Sequence, residues 1–311
     1  LSRNEDKQIQ MENEIKDDRL RYFIGDIRDK ERLIKSMEDV DIVFHAAALK
    51  HVPKIEYNPF EAIKTNIVGS QNVIDASIEQ DVDKVVCIGT DKAVSPLNTY
   101  GATKLIMEKL FVSANNYINV EKHRTKFVAL RYGNVLGSSG SVIPKFIELM
   151  KKKYPLPITD YRMTRFTITM KEALDFIINA TEISKGSEIF IPKISAYDMK
   201  LLISSLNELL EKSDEKIIGT RPGEKLHETL INPDELQYTY EINDLYVILS
   251  PLIFPATNSS PNMRNFSQEE LESRYPGIKK ITSMDSYSSN TVPKISQDEF
   301  KTKILDLGLI D

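Results

Sequence analysis

Cys87-Ile88-Gly89-Thr90-Asp91-Lys92-Ala93-Val94-Ser95-Pro96-Leu97-Asn98-Thr99-Tyr100-Gly101-Ala102-Thr103-Lys104 decides the reading of this chain. It continues the apolar run Lys84-Val85-Val86-Cys87-Ile88-Gly89, which has the length and composition of a buried parallel strand. It closes as the first turn of a helix. Between them stand a hydroxyl (Thr90), a carboxylate (Asp91), an ammonium (Lys92) and a phenol (Tyr100). Tyr100 and Lys104 are four residues apart and share a helix face. An ammonium there favours the phenolate and lowers the phenol pKa from about 10. A tyrosine so tuned can take a proton from a hydroxyl. On spacing alone, the pair also suits a surface helix with a snorkelling lysine. Its place just past a strand end, where α/β sheets bind ligands, favours the chemical reading.

Outward from this stretch, strands alternate with helices. Residues 21–26, 40–45, 84–89 and 127–131 read as strands, and 5–16, 30–37, 60–80 and 101–116 as helices. That alternation predicts βαβ units, hence an α/β fold with a doubly wound parallel sheet. From residue 144 the pattern changes. Helices are expected at 145–152, 171–183 and 199–210, and 188–191 reads as a strand returning to the sheet. The Pro-, Ser- and Asn-rich run 250–262 reads as a loop, with short helices at 267–273 and 297–307.

The 311 residues allow one or two domains. A net charge of −5 gives no footprint for nucleic acid. The single cysteine, Cys87, permits no internal disulfide and fits a reducing compartment. His45, His51, His123 and His227 have no metal-ligand spacing, so no metal is expected. No apolar run is long enough to span a bilayer and no secretory pattern opens the chain. A cytoplasmic protein without membrane insertion is the expectation.

Thr90-Asp91-Lys92 followed by Tyr100-Gly101-Ala102-Thr103-Lys104 resembles the active site of the extended short-chain dehydrogenase/reductases. Within them it is similar to the inverting UDP-N-acetylglucosamine 4,6-dehydratases of the pseudaminic acid and capsule pathways. The stretches 47–53, 58–59, 64–66, 132–144, 157–166 and 218–228 match the same pattern. The resemblance runs to about residue 249. It implies a Rossmann-type sheet with a smaller C-terminal substrate subdomain, NADP as cofactor, UDP-N-acetylglucosamine as substrate and assembly into a homo-oligomer. It divides the chain into a cofactor domain (1–143), a mainly sugar-nucleotide subdomain (144–249) and a tail (250–311).

The resemblance also implies roles. Tyr100 deprotonates the C4 hydroxyl as hydride leaves C4, Thr90 holds that oxygen, and Lys104 keeps Tyr100 acidic. Lys92 is the C5 base and Asp91 the acid that protonates the departing C6 hydroxyl, although the sequence alone would let these two exchange. Hydride returns to C6, and protonation on the opposite face inverts C5. Epimerases of the superfamily usually carry small residues where this chain has Asp91-Lys92. A sugar-nucleotide 4-epimerase is the alternative enzyme, and a truncated, non-catalytic sugar-nucleotide-binding subunit the alternative of another class.

For the cofactor, the resemblance points to Ser2, Arg3, Asp26, Ile27, Ala46 and Ala47, together with Tyr100 and Lys104. An arginine at position 3, rather than an acid, suits a 2′-phosphate. Ala46 and Ala47 also suit tight packing, Asp26 also suits a helix N-cap, and Arg3 also suits a solvated chain end. For the substrate it points to Lys50, Asn134, Asp160, Met163, Arg165, Arg221 and Glu224. The forks of Arg165 and Arg221 match a diphosphate. Asp160, Glu224 and Glu228 are equally able to neutralise those arginines. Asn66 is expected to be structural, bonding backbone near the active-site strand. No Gly-x-x-Gly-x-x-Gly loop is present. Against the family pattern the chain begins at the end of the second strand, so a fragment of a longer protein is expected over a chain unable to bind cofactor.

Overall fold

The computed structural model describes residues 1–119, 121–250 and 267–310, and the backbone of Leu252–Ile253 and Asn262–Met263. Its centre is one sheet of β1 (Ile42–His45), β2 (Lys84–Ile88), β3 (Lys126–Leu130), β4 (Glu188–Pro192), β5 (Thr239–Ile242), β6 (Leu245–Leu249) and β7 (Lys279–Lys280). The strand order is β1-β2-β3-β4-β6-β5-β7. The first four strands are parallel. β4, β6, β5 and β7 then pair antiparallel in turn.

β2 reads as an unbroken apolar run because both of its faces are covered. Val85, Val86 and Cys87 are all fully buried. One face packs on Val73 and Ile74 of the Gly69–Glu79 helix and on Met107 and Phe111 of the Thr99–Ala114 helix. The other packs on Phe176, Ala180 and Tyr275. A second lobe holds its own apolar cluster under the helices Val142–Lys151, Met199–Leu209 and Gln297–Leu305. Phe300 and Ile304 are fully buried there, and the Phe300 ring stacks on Tyr197 at 4.8 Å. The C-terminal helix is therefore part of this lobe.

Two sequence expectations need correction, and a third falls largely outside the described residues. The run 21–26 is not a strand. Only Ile24 pairs, in a single parallel bridge with Ser2. A strand needs a ladder of backbone partners, and here only the short segment at Ser2 offers one, through Ser2 N to Phe23 O and Gly25 N to Ser2 O. The run 60–80 is not one regular helix. It is an α-turn Pro59–Ala62, a π-helical segment Ile63–Val68 and the helix Gly69–Glu79. The wider turn buries Thr65 and Asn66, and such segments occur often at functional sites. Most of the expected loop 250–262 lies outside the described residues, although Leu252–Ile253 pairs antiparallel with Asn262–Met263.

A buried ion network ties the sheet to its surroundings. Arg131, just past β3, is fully buried. It donates to both oxygens of Glu108 at 2.6 Å, to Glu235 at 2.8 and 2.6 Å and to Leu230 O at 3.0 Å. Glu108 lies on the Thr99–Ala114 helix and Glu235 on the 3-10 turn Pro233–Tyr238. Helix, strand end and turn are thereby fixed on one guanidinium, as burial of a charge demands.

Candidate active site

The site forms where β2 ends. Gly89 donates to Leu130 O at 2.8 Å, and a Cβ on Gly89 would stand 2.1 Å from that oxygen, so only glycine fits. Thr90 then caps a 3-10 turn, Asp91–Ala93. Asn98 caps the next helix by accepting from Gly101 N at 2.9 Å, and its amide donates to Gly223 O at 2.9 Å. Gly101 lets the helix start rest directly on the turn, since a Cβ there would lie 2.4 Å from Lys92 O. The expected sequence of strand end, charged turn and helix is present, and it is held at both ends by glycine contacts.

The groups expected to react converge around that turn. Asp91 is fully buried. Its Oδ1 accepts from Thr90 Oγ1 at 2.9 Å and from Lys92 Nζ at 3.0 Å. Its Oδ2 has no partner among the described residues. Lys92 Nζ also stands 3.6 Å from Glu228 Oε1. Burial pulls the Lys92 ammonium down, but Asp91 and Glu228 outweigh it and hold its pKa above the ordinary lysine value. Burial pushes the Tyr100 phenol up, while Lys92 and a hydrogen bond with Thr90 work in the opposite direction.

The cation acting on the Tyr100 phenol in this structure is Lys92, and the Lys104 ammonium is bonded elsewhere. The phenol is raised, and the cation that offsets the rise is Lys92. Lys104 is buried, and its ammonium donates to Ile88 O at 2.8 Å. A buried ammonium needs an acceptor, and the carbonyl at the end of β2 supplies it.

Asn66 is fully buried and does what the sequence reading expected of it. It accepts from Leu49 N at 2.8 Å and donates to Leu49 O and to Thr103 Oγ1, each at 3.0 Å. It fixes the loop after β1 against the helix that carries Tyr100. Nearby, His45 Nε2 and Ser70 Oγ lie 2.9 Å apart, and burial pushes the imidazole down to about 3.

The residues expected at the cofactor form a second group. Arg3 Nη1 lies 3.5 Å from Asp26 Oδ2, which also takes Arg28 Nη2 at 2.7 Å. Arg28 holds the Asp26 carboxyl below its ordinary range. The helix cap here is Asp29, which accepts from Arg32 N, so Asp26 is not an N-cap. The Ile27 side chain belongs to the core and its carbonyl accepts from Asn72. Ala46 and Ala47 are exposed just beyond β1.

Of the residues expected at the substrate, Lys50 Nζ donates to Ser139 O at 3.1 Å. Asn134 Oδ1 is buried with no partner among the described residues. Arg165 is gripped by two acids, with Nη2 at 3.8 Å from Glu224 Oε1 and Nε at 3.8 Å from Glu228 Oε1. Met163 is buried, with its sulfur 3.5 Å from Arg165 Nη2. Asp160 turns to Arg162 instead, and that guanidinium lowers its carboxyl to about 2. The Arg221 backbone N donates to Glu224 Oε2 at 3.2 Å, and its side chain is exposed.

Two residues beyond the expected set matter. Lys225 donates to Val94 O at 2.5 Å and pins the 218–228 segment to the end of the Asp91–Ala93 turn. Glu228, read in the sequence only as an acid that could neutralise an arginine, meets both Lys92 and Arg165. Its signal was its place in the segment already matched to sugar-nucleotide binding.

Residues 1–250 match the family model described as polysaccharide biosynthesis protein. The chain belongs to the polysaccharide biosynthesis protein family. It is a dehydratase-like member of the short-chain dehydrogenase/reductase superfamily, by its identity to curated dehydratases. The chain is similar to a Campylobacter jejuni protein named UDP-N-acetylglucosamine 4,6-dehydratase (inverting), 46% identical over 98% of this chain and 87% of that protein. A Rickettsia bellii protein named UDP-glucose 4-epimerase is 36% identical over 100% of this chain and 87% of its own length. The solved structure of Pen from Bacillus thuringiensis covers 100% of this chain and 89% of that one, with a TM-score of 0.84 at 38% identity.

Proposed function

We propose that this chain removes water from UDP-N-acetylglucosamine across C5 and C6, with NADP as a recycled cofactor and inversion at C5. The observation that carries the reading is the Asp91–Lys92 pair, in contact at 3.0 Å beside Thr90 and Tyr100. An epimerase needs hydride removal and return alone. Elimination also needs a base for the C5 proton and an acid for the C6 hydroxyl, and an adjacent carboxyl and amine supply both. The identity to the Campylobacter relative supports the same reaction.

When bound, the nicotinamide accepts hydride from C4 and returns it to C6. The residues present suit such a group. Ala46 and Ala47 leave small, exposed positions past β1, and Arg3 stands beside Asp26 with its guanidinium largely exposed. Arg3 would meet a 2′-phosphate, which favours NADP over NAD. Tyr100 takes the C4 hydroxyl proton, and Thr90 and Lys92 favour its phenolate. The C4 ketone then acidifies C5–H. Transfer of one proton from Lys92 to Asp91 would give a neutral amine and a carboxylic acid. The amine takes the C5 proton, and the acid gives its proton to the leaving hydroxyl, which departs as water. The pair ends as ammonium and carboxylate, its starting state. As C6 takes back hydride, C5 would take a proton from solvent water on the face opposite Lys92, and Tyr100 would give up the C4 hydroxyl proton to solvent to return to phenolate. Arg165 and Arg221 would hold the diphosphate, with Lys50, Asn134, Met163, Asp160 and Glu224 around the nucleotide sugar. Residues 1–143 would carry the cofactor and 144–249 most of the substrate contacts. The product would feed surface glycan synthesis in the cytoplasm, made by a homo-oligomer.

Mass spectrometry of the sugar nucleotide after incubation tests this. Loss of one water supports the dehydratase. An unchanged mass with inversion at C4 would favour the 4-epimerase, the activity named for the Rickettsia relative. UDP-sugar binding with no turnover would favour the non-catalytic binding subunit.

A further inference from the structure

Glu228 comes from a segment 136 positions beyond Lys92 (228 − 92), yet the two are neighbours in the site. Its carboxylate is buried, and its Oε1 lies between two cations, 3.6 Å from Lys92 Nζ and 3.8 Å from Arg165 Nε. Its Oε2 has no partner among the described residues. The same carboxylate oxygen thus faces both the amine expected to react and the arginine expected to hold the diphosphate. Buried carboxylates hold this kind of position only when nearby cations compensate for lost water.

We infer that Glu228 is a positioning residue, which holds Lys92 as a cation over the site and ties that hold to Arg165 through one shared oxygen. The inference rests on the reading of Lys92 as a reacting group. Its charge environment is wider than this pair. Asp91 faces Lys92 from the same turn, Tyr100 from the following helix, Tyr197 from the second lobe, and Arg165 and Lys225 from the substrate side. Among these, Asp91 and Glu228 are the two carboxylates acting on Lys92, and Arg165 opposes them. Removing the negative charge of Glu228 therefore loosens the Lys92 proton. Removing the positive charge of Arg165 tightens it, directly and by leaving Glu228 to Lys92 alone.

Competitive acylation of lysines in the free protein reads this without substrate. At fixed mildly alkaline pH, the labelling rate of Lys92, normalised to exposed Lys54, follows its neutral fraction. Glu228→Gln keeps the shape of the side chain and should speed Lys92 labelling about tenfold, the effect of one pKa unit. Glu228→Asp should stay nearer wild type. Arg165→Gln should slow the labelling. A general gain in solvent access would speed both variants, so the opposite signs separate charge from exposure. Unchanged or slower labelling in Glu228→Gln overturns the hold on Lys92, and faster labelling in Arg165→Gln overturns the link to the arginine. If Glu228→Gln does not fold, the Arg165→Gln result still decides the link. Because no turnover is measured, a protein without dehydratase activity can still show this coupling, and an active dehydratase can lack it.

Discussion

Lys104 Nζ donates to the carbonyl oxygen of Ile88 at 2.8 Å, closing the end of β2. Tyr100 stands one helical turn earlier, and the ammonium that favours its phenolate is that of Lys92. In the free protein, Lys92→Met should therefore raise the Tyr100 phenol titration further. Lys104→Met should leave it within a few tenths of a unit, well below the one to three units that an adjacent opposite charge supplies. Absorbance titration of each variant, with its Tyr100→Phe counterpart subtracted, reads both. An equal effect of the two lysines would contradict this assignment.

Gly101 lets the helix that carries Tyr100 sit against the turn that carries Asp91 and Lys92. A Cβ there would lie 2.4 Å from Lys92 O and 2.9 Å from Pro96 Cβ. Backbone must then move. Gly101→Ala should lower kcat by roughly tenfold to a hundredfold, the scale of a misplacement near 1 Å. KM should change little, because Arg165 and Glu224 lie on other elements. Steady-state kinetics separates the two. A variant with wild-type kcat would show that the helix start and the turn move independently.

Arg131 is the cation hydrogen-bonded to both Glu108 and Glu235, while Lys104 acts on Glu108 and Lys109 on Glu235 without such a bond. Arg131→Met leaves the fully buried Glu108 without its hydrogen-bonded cation and should destabilise the protein by about 3–5 kcal/mol. The second change Glu108→Leu should recover much of that loss, since an apolar pair replaces a broken ionic one. Urea unfolding midpoints of the single and double variants check this. Equal midpoints would mean that Glu108 finds water once Arg131 is gone.

His45 is buried against Phe111 and Ser70, and its imidazole is pushed from 6.5 down to about 3. Between those values the unfolded chain binds a proton that the folded chain does not. Stability from this site is therefore full above pH 6.5 and falls as the pH drops towards 3, by about 1.4 kcal/mol per unit. His45→Asn should flatten that part of the stability curve. Urea midpoints from pH 7 to pH 4 measure the slope, and an identical slope in the variant would assign it to other groups.

The strands β2 to β4 were legible because buried parallel strands are short apolar runs, and β1 shows the same kind of run although Ile42 and Phe44 are exposed. The Thr99–Ala114 helix was legible, read as 101–116, from the spacing of Tyr100 and Lys104. The π-segment Ile63–Val68 was not, since it follows from the tertiary bonds of Asn66 to Leu49 and Thr103. The single bridge at Ile24 was misread as a strand because sequence shows a residue's preference but not the partner its backbone requires. At the site, the sequence supplied Thr90, Asp91, Lys92 and Tyr100 as neighbours along one turn. It could not say that Lys104 would bond a carbonyl, or that Glu228 would reach Lys92 across the cleft, because both depend on how distant segments pack.

The central claim is that Asp91 and Lys92 carry out an elimination. The most direct measurement is turnover of UDP-N-acetylglucosamine in deuterium oxide, comparing wild type with Lys92→Ala by NMR of the sugar. The account predicts that wild type gives a 4-keto-6-deoxy product with solvent deuterium at an inverted C5, and that Lys92→Ala loses water formation by at least about a hundredfold. Water loss at the wild-type rate in Lys92→Ala, or a wild-type product with C6 still hydroxylated, would contradict it.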